Sequence, residues 1–233
     1  VTLPEKFETV GTCAFCSADK LARIDLGGTI SLGGSAFEST SAKEGVNFRP
    51  ELGRLTTIGD FAFSRTAQSS VSLPDSVTMV GEQAFSESTA LTSFHIGAGV
   101  TSFAETALYN DRKIATLTVA DGNPVYSAEH NVLYRKADDG LHLMLSPAAN
   151  TLTDYTVRAG TVEIGATAFA NNKTLTRVVL PDGLKVIGDD AFAGTTALTE
   201  LVIPESVERS SGVVGNSLEL VEYGSKVTSI RME

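Results

Sequence analysis

Short apolar triplets punctuate this chain at regular distances. In LTELVI (198–203) the apolar positions are Leu198, Leu201 and Ile203. The same spacing recurs in LARIDL (21–26), LTSFHI (91–96), IATLTV (114–119), LTDYTV (152–157) and LTRVVL (175–180). Alternation over the last three residues of each run predicts a short strand with one face buried. Pro204 or Gly97, directly after such a run, ends the strand and opens a turn.

A second pattern lies between the strands. The pair Ala-Phe stands at 14–15, 36–37, 62–63, 84–85, 168–169 and 191–192, with Ala107-Leu108 as a degenerate copy. Four residues before each Ala sits an apolar residue, usually followed by glycine: Val10-Gly11, Leu32-Gly33, Ile58-Gly59, Val80-Gly81, Ile164-Gly165 and Ile187-Gly188. Phe103-Ala104 alone replaces the glycine. Most gaps are 22 or 23 residues. A fixed period in this range marks a solenoid, in which each unit is too small to bury its own apolar face and stacks on its neighbours. Within a coil the glycine suits a tight corner. The Ala-Phe pair is expected to start a single helical turn that drives the ring inward. The Ser, Thr or Asn that follows, as at Thr40, Thr66, Ser88, Asn172 and Thr195, suits a hydrogen bond to corner backbone.

The pattern LP-x-x-V-x-x-IG-x-x-AF followed by L-x-x-L-x-IP resembles the BspA-type leucine-rich repeat of bacterial surface proteins. It departs from the better-known leucine-rich repeat, which places Asn or Cys after its strand. The resemblance covers residues 1–233 with one interruption. It implies a single right-handed α/β or mainly β solenoid of about eight coils of ~23 residues, with one short parallel strand per coil. It also implies export and display at the cell surface and adhesion to host or extracellular-matrix proteins or to other cells. Separately, the sequence has no G-x-S-x-G, P-loop or H-E-x-x-H motif, so an enzyme is not expected.

Three places break the pattern. Residues 38–58 carry EGVNFRPEL between coils, and Lys43 replaces an apolar residue. Residues 120–151 hold a larger insertion. There NVLYRK and LHLMLS are strand-like runs separated by ADDG, a β-hairpin signal. Such a hairpin either packs on the solenoid as a decorated repeat or projects as a flap that shapes a binding surface. Residues 204–233 form degenerate C-terminal repeats: the Ile-Gly positions hold Ser210-Ser211, the Ala-Phe positions hold Val214-Gly215, and a strand returns early as LELVEY (218–223). The start at Val1, in mid-unit, is expected of a processed or trimmed chain.

Composition narrows the function. Apolar residues make up 42% of the chain, which is ample for a core, and charged residues 20%. The net charge of −10 repels phosphate, so nucleic acid and anionic membrane surfaces are not expected partners. No apolar run approaches the roughly 18 residues that cross a bilayer. Cys13 and Cys16 form C-A-F-C with no second pair and no nearby His, so neither a metal site nor a redox centre is expected. A disulfide between them fits an exported chain. His95, His130 and His142 have no Ser or Cys partner close in sequence, DDG at 138–140 lacks the alternating acids of a calcium loop, and Asn172-Lys173-Thr174 is a glycosylation sequon at a corner. No catalytic or metal-binding residue is assigned, and no cofactor is expected.

What remains is the outward face of the predicted strands. One column reads Asp25, Asn47, Ser72, His95, Thr118, Thr156, Val179, Val202, Glu222; its neighbour reads Arg23, Gly45, Ser70, Ser93, Thr116, Asp154, Arg177, Glu200, Leu220. Threonine suits any solvated strand face, but aligned positions from successive coils also build recognition surfaces. His95, Thr118, Asp154, Thr156 and Arg177 are the candidate partner-binding residues, with the 120–151 hairpin as a wall beside them. The expected role is a surface-displayed module that binds protein, with glycan as a further class of partner. A structural spacer and a carbohydrate-handling accessory are the alternatives.

Overall fold

The computed structural model describes residues 1–210 and the strand at 220–222. It is a mainly β parallel solenoid of about nine turns of ~23 residues. The chain divides into two compact units, Val1–Tyr126 and Ser127–Glu233. The division falls inside the expected insertion.

The first unit carries ten strands: Thr9–Val10 (β1), Ile24–Asp25 (β2), Ser31–Leu32 (β3), Val46–Asn47 (β4), Thr57–Ile58 (β5), Ser70–Ser72 (β6), Met79–Val80 (β7), Ser93–Ile96 (β8), Ser102–Phe103 (β9) and Thr116–Val119 (β10). The strands predicted from LARIDL, LTSFHI and IATLTV are β2, β8 and β10. They belong to parallel sheets ordered β2-β4 and β10-β8-β6. The expectation of one strand per coil is corrected upward. The apolar residue before each glycine also sits in a strand, and these pairs form a second sheet ordered β1-β3-β5-β7-β9. Such strands are only two residues long and leave no alternation to read.

Where a preceding coil lies beneath it, the glycine after such a strand is explained by spacing rather than by a corner. Gly59 is not in the left-handed region, but a Cβ on it would lie 2.7 Å from the Leu32 carbonyl oxygen and 2.9 Å from the Gly33 carbonyl carbon of the preceding coil. Gly188 is equally confined, 2.5 Å from the Ala166 nitrogen. Backbone approaches backbone there, and only a residue without a Cβ fits.

The Ala-Phe segment is not a helical turn. The residue before each Ala-Phe pair has positive φ: Cys13, Ser35, Phe61, Gln83, Thr167 and Asp190. A second left-handed residue follows four places on, as at Ser17, Ser39, Arg65, Glu87 and Asn171. Alternate N–H groups therefore point to different partners. The Ala62 N–H donates back to the Gly59 carbonyl at 3.2 Å, whereas the Phe63 N–H donates to the Ala84 carbonyl of the next coil at 2.7 Å. A helix would spend every N–H within its own coil; this turn uses half of them to bind coils together.

The Phe rings of the Ala-Phe pairs enter the core as expected, except that Phe15 of the first coil is half-buried. Phe37, Phe63, Phe85 and Phe192 are fully buried and Phe169 nearly so. Phe37–Phe63 and Phe63–Phe85 stack with centroids 5.4 Å apart, and Phe169–Phe192 at 5.0 Å. Offset stacking of this kind is a favoured aromatic geometry. The insertion near residue 48 contributes too. Phe48 packs edge-on against Phe63, and buried Ala42 fills the apolar place beside exposed Lys43.

Tyr126–Glu129 (β11) begins at the division, and the second unit continues with Val132–Ala137 (β12), Gly140–Leu145 (β13), Asp154–Thr156 (β14), Thr161–Ile164 (β15), Arg177–Val179 (β16), Val186–Ile187 (β17), Glu200–Val202 (β18), Arg209–Ser210 (β19) and Leu220–Glu222 (β20). The expected hairpin is β12–β13, antiparallel. It does not project. β13 pairs in parallel with β15, placing Leu143 beside Ile164, so the hairpin takes the place of a coil in the sheet β11-β12-β13-β15-β17-β19. Val132, Tyr134 and Leu143 are fully buried in the core of this unit. The hairpin is thus a decorated repeat, and it lies in a different sheet from β14, where Asp154 and Thr156 stand. Ser210, where the Ile-Gly motif fails, is still buried and in register with Ile187. The irregular positions Ser211, Val214 and Gly215 lie outside the described residues, while β20 falls within the predicted LELVEY run.

Candidate recognition surfaces

Strand pairing gives the register of the two columns, and every described pair follows it. In the first unit Ser72 pairs with His95 and His95 with Thr118, while Ser70 pairs with Ser93 and Ser93 with Thr116. In the second unit Thr156 pairs with Val179, Val179 with Val202 and Val202 with Glu222. Asp154 pairs with Arg177 and Arg177 with Glu200. Parallel in-register pairing on a period near 23 residues brings equivalent side chains into rows at the strand spacing of roughly 4.8 Å.

The five candidate residues therefore fall into two groups. His95, on β8, is half-buried and joined through Nδ1 to the Thr118 hydroxyl on β10 at 2.9 Å. In the same rows stand the hydroxyl side chains of Ser70, Ser72, Ser93 and Thr116. Asp154, Thr156 and Arg177 are exposed on β14 and β16 of the other unit. Arg177 Nε donates to Glu200 at 2.9 Å, and this carboxylate, with Asp154 on the opposite strand, holds the guanidinium above its usual range. Beside this charged row stand Thr156, Val179 and Val202, of which Thr156 and Val202 are exposed and Val179 is half-buried. The two patches thus differ in chemistry: one is hydroxyl-rich around a histidine, the other alternates in charge beside Val179 and Val202.

One end of the column differs from the sequence reading. Asp25 was placed outward with Asn47, but it is buried. Arg49 has positive φ and folds back over the face. Its Nε donates to Asp25 Oδ1 at 2.7 Å, with the Gly27 N–H at 3.0 Å and Asn47 Nδ2 at 3.3 Å completing the cluster. Burial pushes the Asp25 carboxyl up, but these donors together bring it below its ordinary range. The sequence signal for this lock was the insertion itself, whose FRPEL segment brings Arg49 over the preceding coil.

Other candidates resolve simply. Cys13 and Cys16 are joined as a disulfide. Asn172 is buried: its Oδ1 accepts the Thr174 and Leu175 N–H groups at 2.9 Å, and its Nδ2 donates to the Asn150 carbonyl. The acceptor asparagine of the sequon is thus a buried corner residue, while Lys173 and Thr174 are exposed. His130 sits in the turn between β11 and β12, where its carbonyl accepts from Asn150 Nδ2. His142 belongs to a charged row on the hairpin with Arg135, Asp139 and Glu163. Among the described residues, no three His, Cys, Asp or Glu side chains are grouped to hold a metal, and no helix is long and apolar enough to cross a membrane.

A residue missed from sequence is Asp111. It fills the corner position that Thr40, Thr66, Ser88, Asn172 and Thr195 fill elsewhere, and it is buried. Its Oδ1 accepts the Ser88 N–H at 2.6 Å, and its Oδ2 has no partner. Burial pushes this carboxyl up to about 8, against the pull of that one N–H.

The sequence matches the family description "BspA type Leucine rich repeat region (6 copies)" over residues 1–115, 56–134 and 148–232. The chain belongs to the BspA-type leucine-rich-repeat family. Solved structures agree with this assignment. A leucine-rich repeat protein from Eubacterium ventriosum superposes with a TM-score of 0.80 at 25% identity, covering 94% of this chain and 58% of that one. The pneumococcal vaccine antigen PcpA gives 0.63 at 19% identity, over 90% of this chain and 64% of that one. A leucine rich cell surface protein from Faecalibacterium prausnitzii gives 0.62 at 21% identity, over 96% and 78%. The BspA-type chain thus spans less than two thirds of the first two relatives. No curated protein matches the sequence.

Proposed function

We propose that this chain is a non-enzymatic, surface-displayed interaction module that adheres to a protein partner through the outward columns of its strands. The observation that carries the reading is the register: in each unit, equivalent side chains from consecutive coils stand in aligned rows. His95 and Thr118 form the contact patch of the first unit, and Asp154, Thr156 and Arg177 that of the second. Surface display is supported by relatives named as a cell surface protein and a vaccine antigen. A flat, polar contact area spreads binding energy over many weak contributors, so moderate affinity is expected.

The test substitutes Thr118, Thr156 and Arg177 with Glu together and measures binding to immobilised extracellular-matrix proteins and to cells. Circular dichroism verifies the fold. A folded triple variant should bind at least about tenfold more weakly, a loss of roughly 1.4 kcal/mol. Undiminished binding by that variant places the contact elsewhere. Binding that is competed by glycans but not by proteins replaces the protein partner with a carbohydrate one. Absence of binding by the parent chain favours a structural spacer. Thr118→Glu alone and the Thr156→Glu/Arg177→Glu pair assign any loss to one unit or the other.

A further inference from the structure

A row of four ionisable side chains crosses three strands of the hairpin sheet. His142 on β13 lies opposite Arg135 on β12 and opposite Glu163 on β15. Asp139, in the hairpin turn, completes the set. The imidazole is mostly covered, with its side chain 14% exposed. Its Nε2 is 2.9 Å from Asp139 Oδ1. Its Nδ1 faces two groups at once, Arg135 Nη2 at 2.9 Å and Glu163 Oε2 at 3.5 Å.

Hydrogen-bond chemistry makes these two contacts exclusive. A guanidinium has only donors, so it bonds Nδ1 only when that nitrogen is bare. The neutral ring must then carry its proton on Nε2 and donate it to Asp139. That arrangement fits the geometry and the lowered range of the Asp139 carboxyl, which the His142 hydrogen bond holds down. Protonation turns Nδ1 into a donor. It can no longer accept from Arg135, and like charge repels the guanidinium. The Glu163 carboxylate then becomes the matching partner.

We propose that His142 is a proton-operated exchange point, trading Arg135 within the hairpin for Glu163 on the adjacent coil strand as pH falls. In the neutral state the ring ties β13 to β12, the hairpin's own first strand. In the protonated state it ties β13 to β15 by a charge-assisted bond, and the Arg135 guanidinium is released from the row. Histidine is the side chain whose ordinary titration lies in the mildly acidic range. Among the described residues, Arg135 from β12, Asp139 from the turn and Glu163 from β15 face it. The device does not depend on the proposed function, because it resides in the hairpin sheet and not in the columns of β14 and β16.

Long-range proton–nitrogen NMR of the imidazoles in the full chain reads the exchange. At pH 8 the wild type should show a neutral ring protonated at Nε2, with Nδ1 bare. Acidification should add the Nδ1 proton and change the Arg135 side-chain signal at the same pH. Arg135→Met removes the competing cation and should move the exchange to higher pH. Glu163→Gln removes the waiting acceptor charge and should move it to lower pH. Each displacement is expected to be at least about half a pH unit, roughly threefold in proton affinity. Amide spectra confirm that both variants keep the fold. An Nδ1-protonated ring at pH 8 overturns the proposal, as does an exchange that neither substitution displaces.

Discussion

Replacing one motif glycine by alanine should have opposite effects in two coils of the same chain. Gly59 and Gly11 occupy the same motif position, and neither is in the left-handed region. A Cβ at Gly59 meets Leu32 O at 2.7 Å and Gly34 N at 3.0 Å, both backbone atoms of the preceding coil. A Cβ at Gly11 has nothing within 4 Å. An ordinary contact needs roughly 3.4 Å, so at Gly59 the coils must part by roughly 0.7 Å or rearrange around the new carbon. Ala104 takes this motif position in a later coil, and its N–H still donates to the Val80 carbonyl. Overpacking of this kind costs about 1–3 kcal/mol. Against it stands a gain of about 0.4–1 kcal/mol, because alanine narrows the unfolded ensemble. Gly59→Ala should therefore lose about 1–2 kcal/mol, whereas Gly11→Ala should gain about 0.5 kcal/mol. Urea unfolding followed by circular dichroism measures both, and amide exchange locates the loss if the coils do not unfold as one. Equal destabilisation by the two substitutions would refute the close-approach account and restore the corner account.

Other outcomes follow from the same structure. Phe192→Ala should cost about 3–5 kcal/mol in urea unfolding, because the ring is fully buried against Phe169; a loss below about 1 kcal/mol contradicts its place in the core. Asp111 makes stability fall as pH rises: its carboxyl is raised from 3.8 to about 8, so between those values the folded chain keeps a proton that the unfolded chain has released. Its contribution is fully present below the unfolded value, declines up to about pH 8 and is then level, so Asp111→Asn should flatten the difference between pH 5 and pH 8 and stabilise the chain at pH 8. Stability differences between wild type and variant that do not change with pH rule this out. Cys13→Ser with Cys16→Ser should cost at most about 2 kcal/mol, the loop-closure value for so short a span, since five other coils make the same turn without a disulfide. A larger loss in calorimetry shows that the bridge holds more than its own turn.

The solenoid was legible because its inward positions are over-determined. A ring at Phe63 must fit between Phe37 and Phe85, so the chain repeats the same residue at the same interval, and a period survives in the sequence. The Ala-Phe turn was misread for a physical reason as well. Its alternating left-handed residues include Cys13, Phe61, Gln83 and Thr167, none of which is a customary left-handed residue. What holds them is the N–H ladder to the next coil, a long-range partner that no local window contains. The hairpin was found but its role was not, because the sequence shows two strands and does not show which sheet receives them.

The outward face is less legible for the converse reason. Packing between coils does not dictate the residue at Thr156, which is exposed, and Thr118 answers only to the His95 ring on the same face, so the residues there record solvent, a partner, or nothing. Structure adds what spacing could not. It joins His95 to Thr118 and Arg177 to Glu200, and it removes Asp25 from the surface by folding Arg49 over it. The last of these bears on recognition. An insertion of a few residues suffices to cover part of an outward column and leave the core beneath it intact, since Asp25 is shielded while Ile24 beside it remains fully buried. A BspA-type solenoid can therefore change its contact surface by editing the loops between coils, at little cost to the stacked rings. Partner specificity in such a chain should be sought first in its insertions and exposed columns, and stability in its phenylalanines and close-approach glycines.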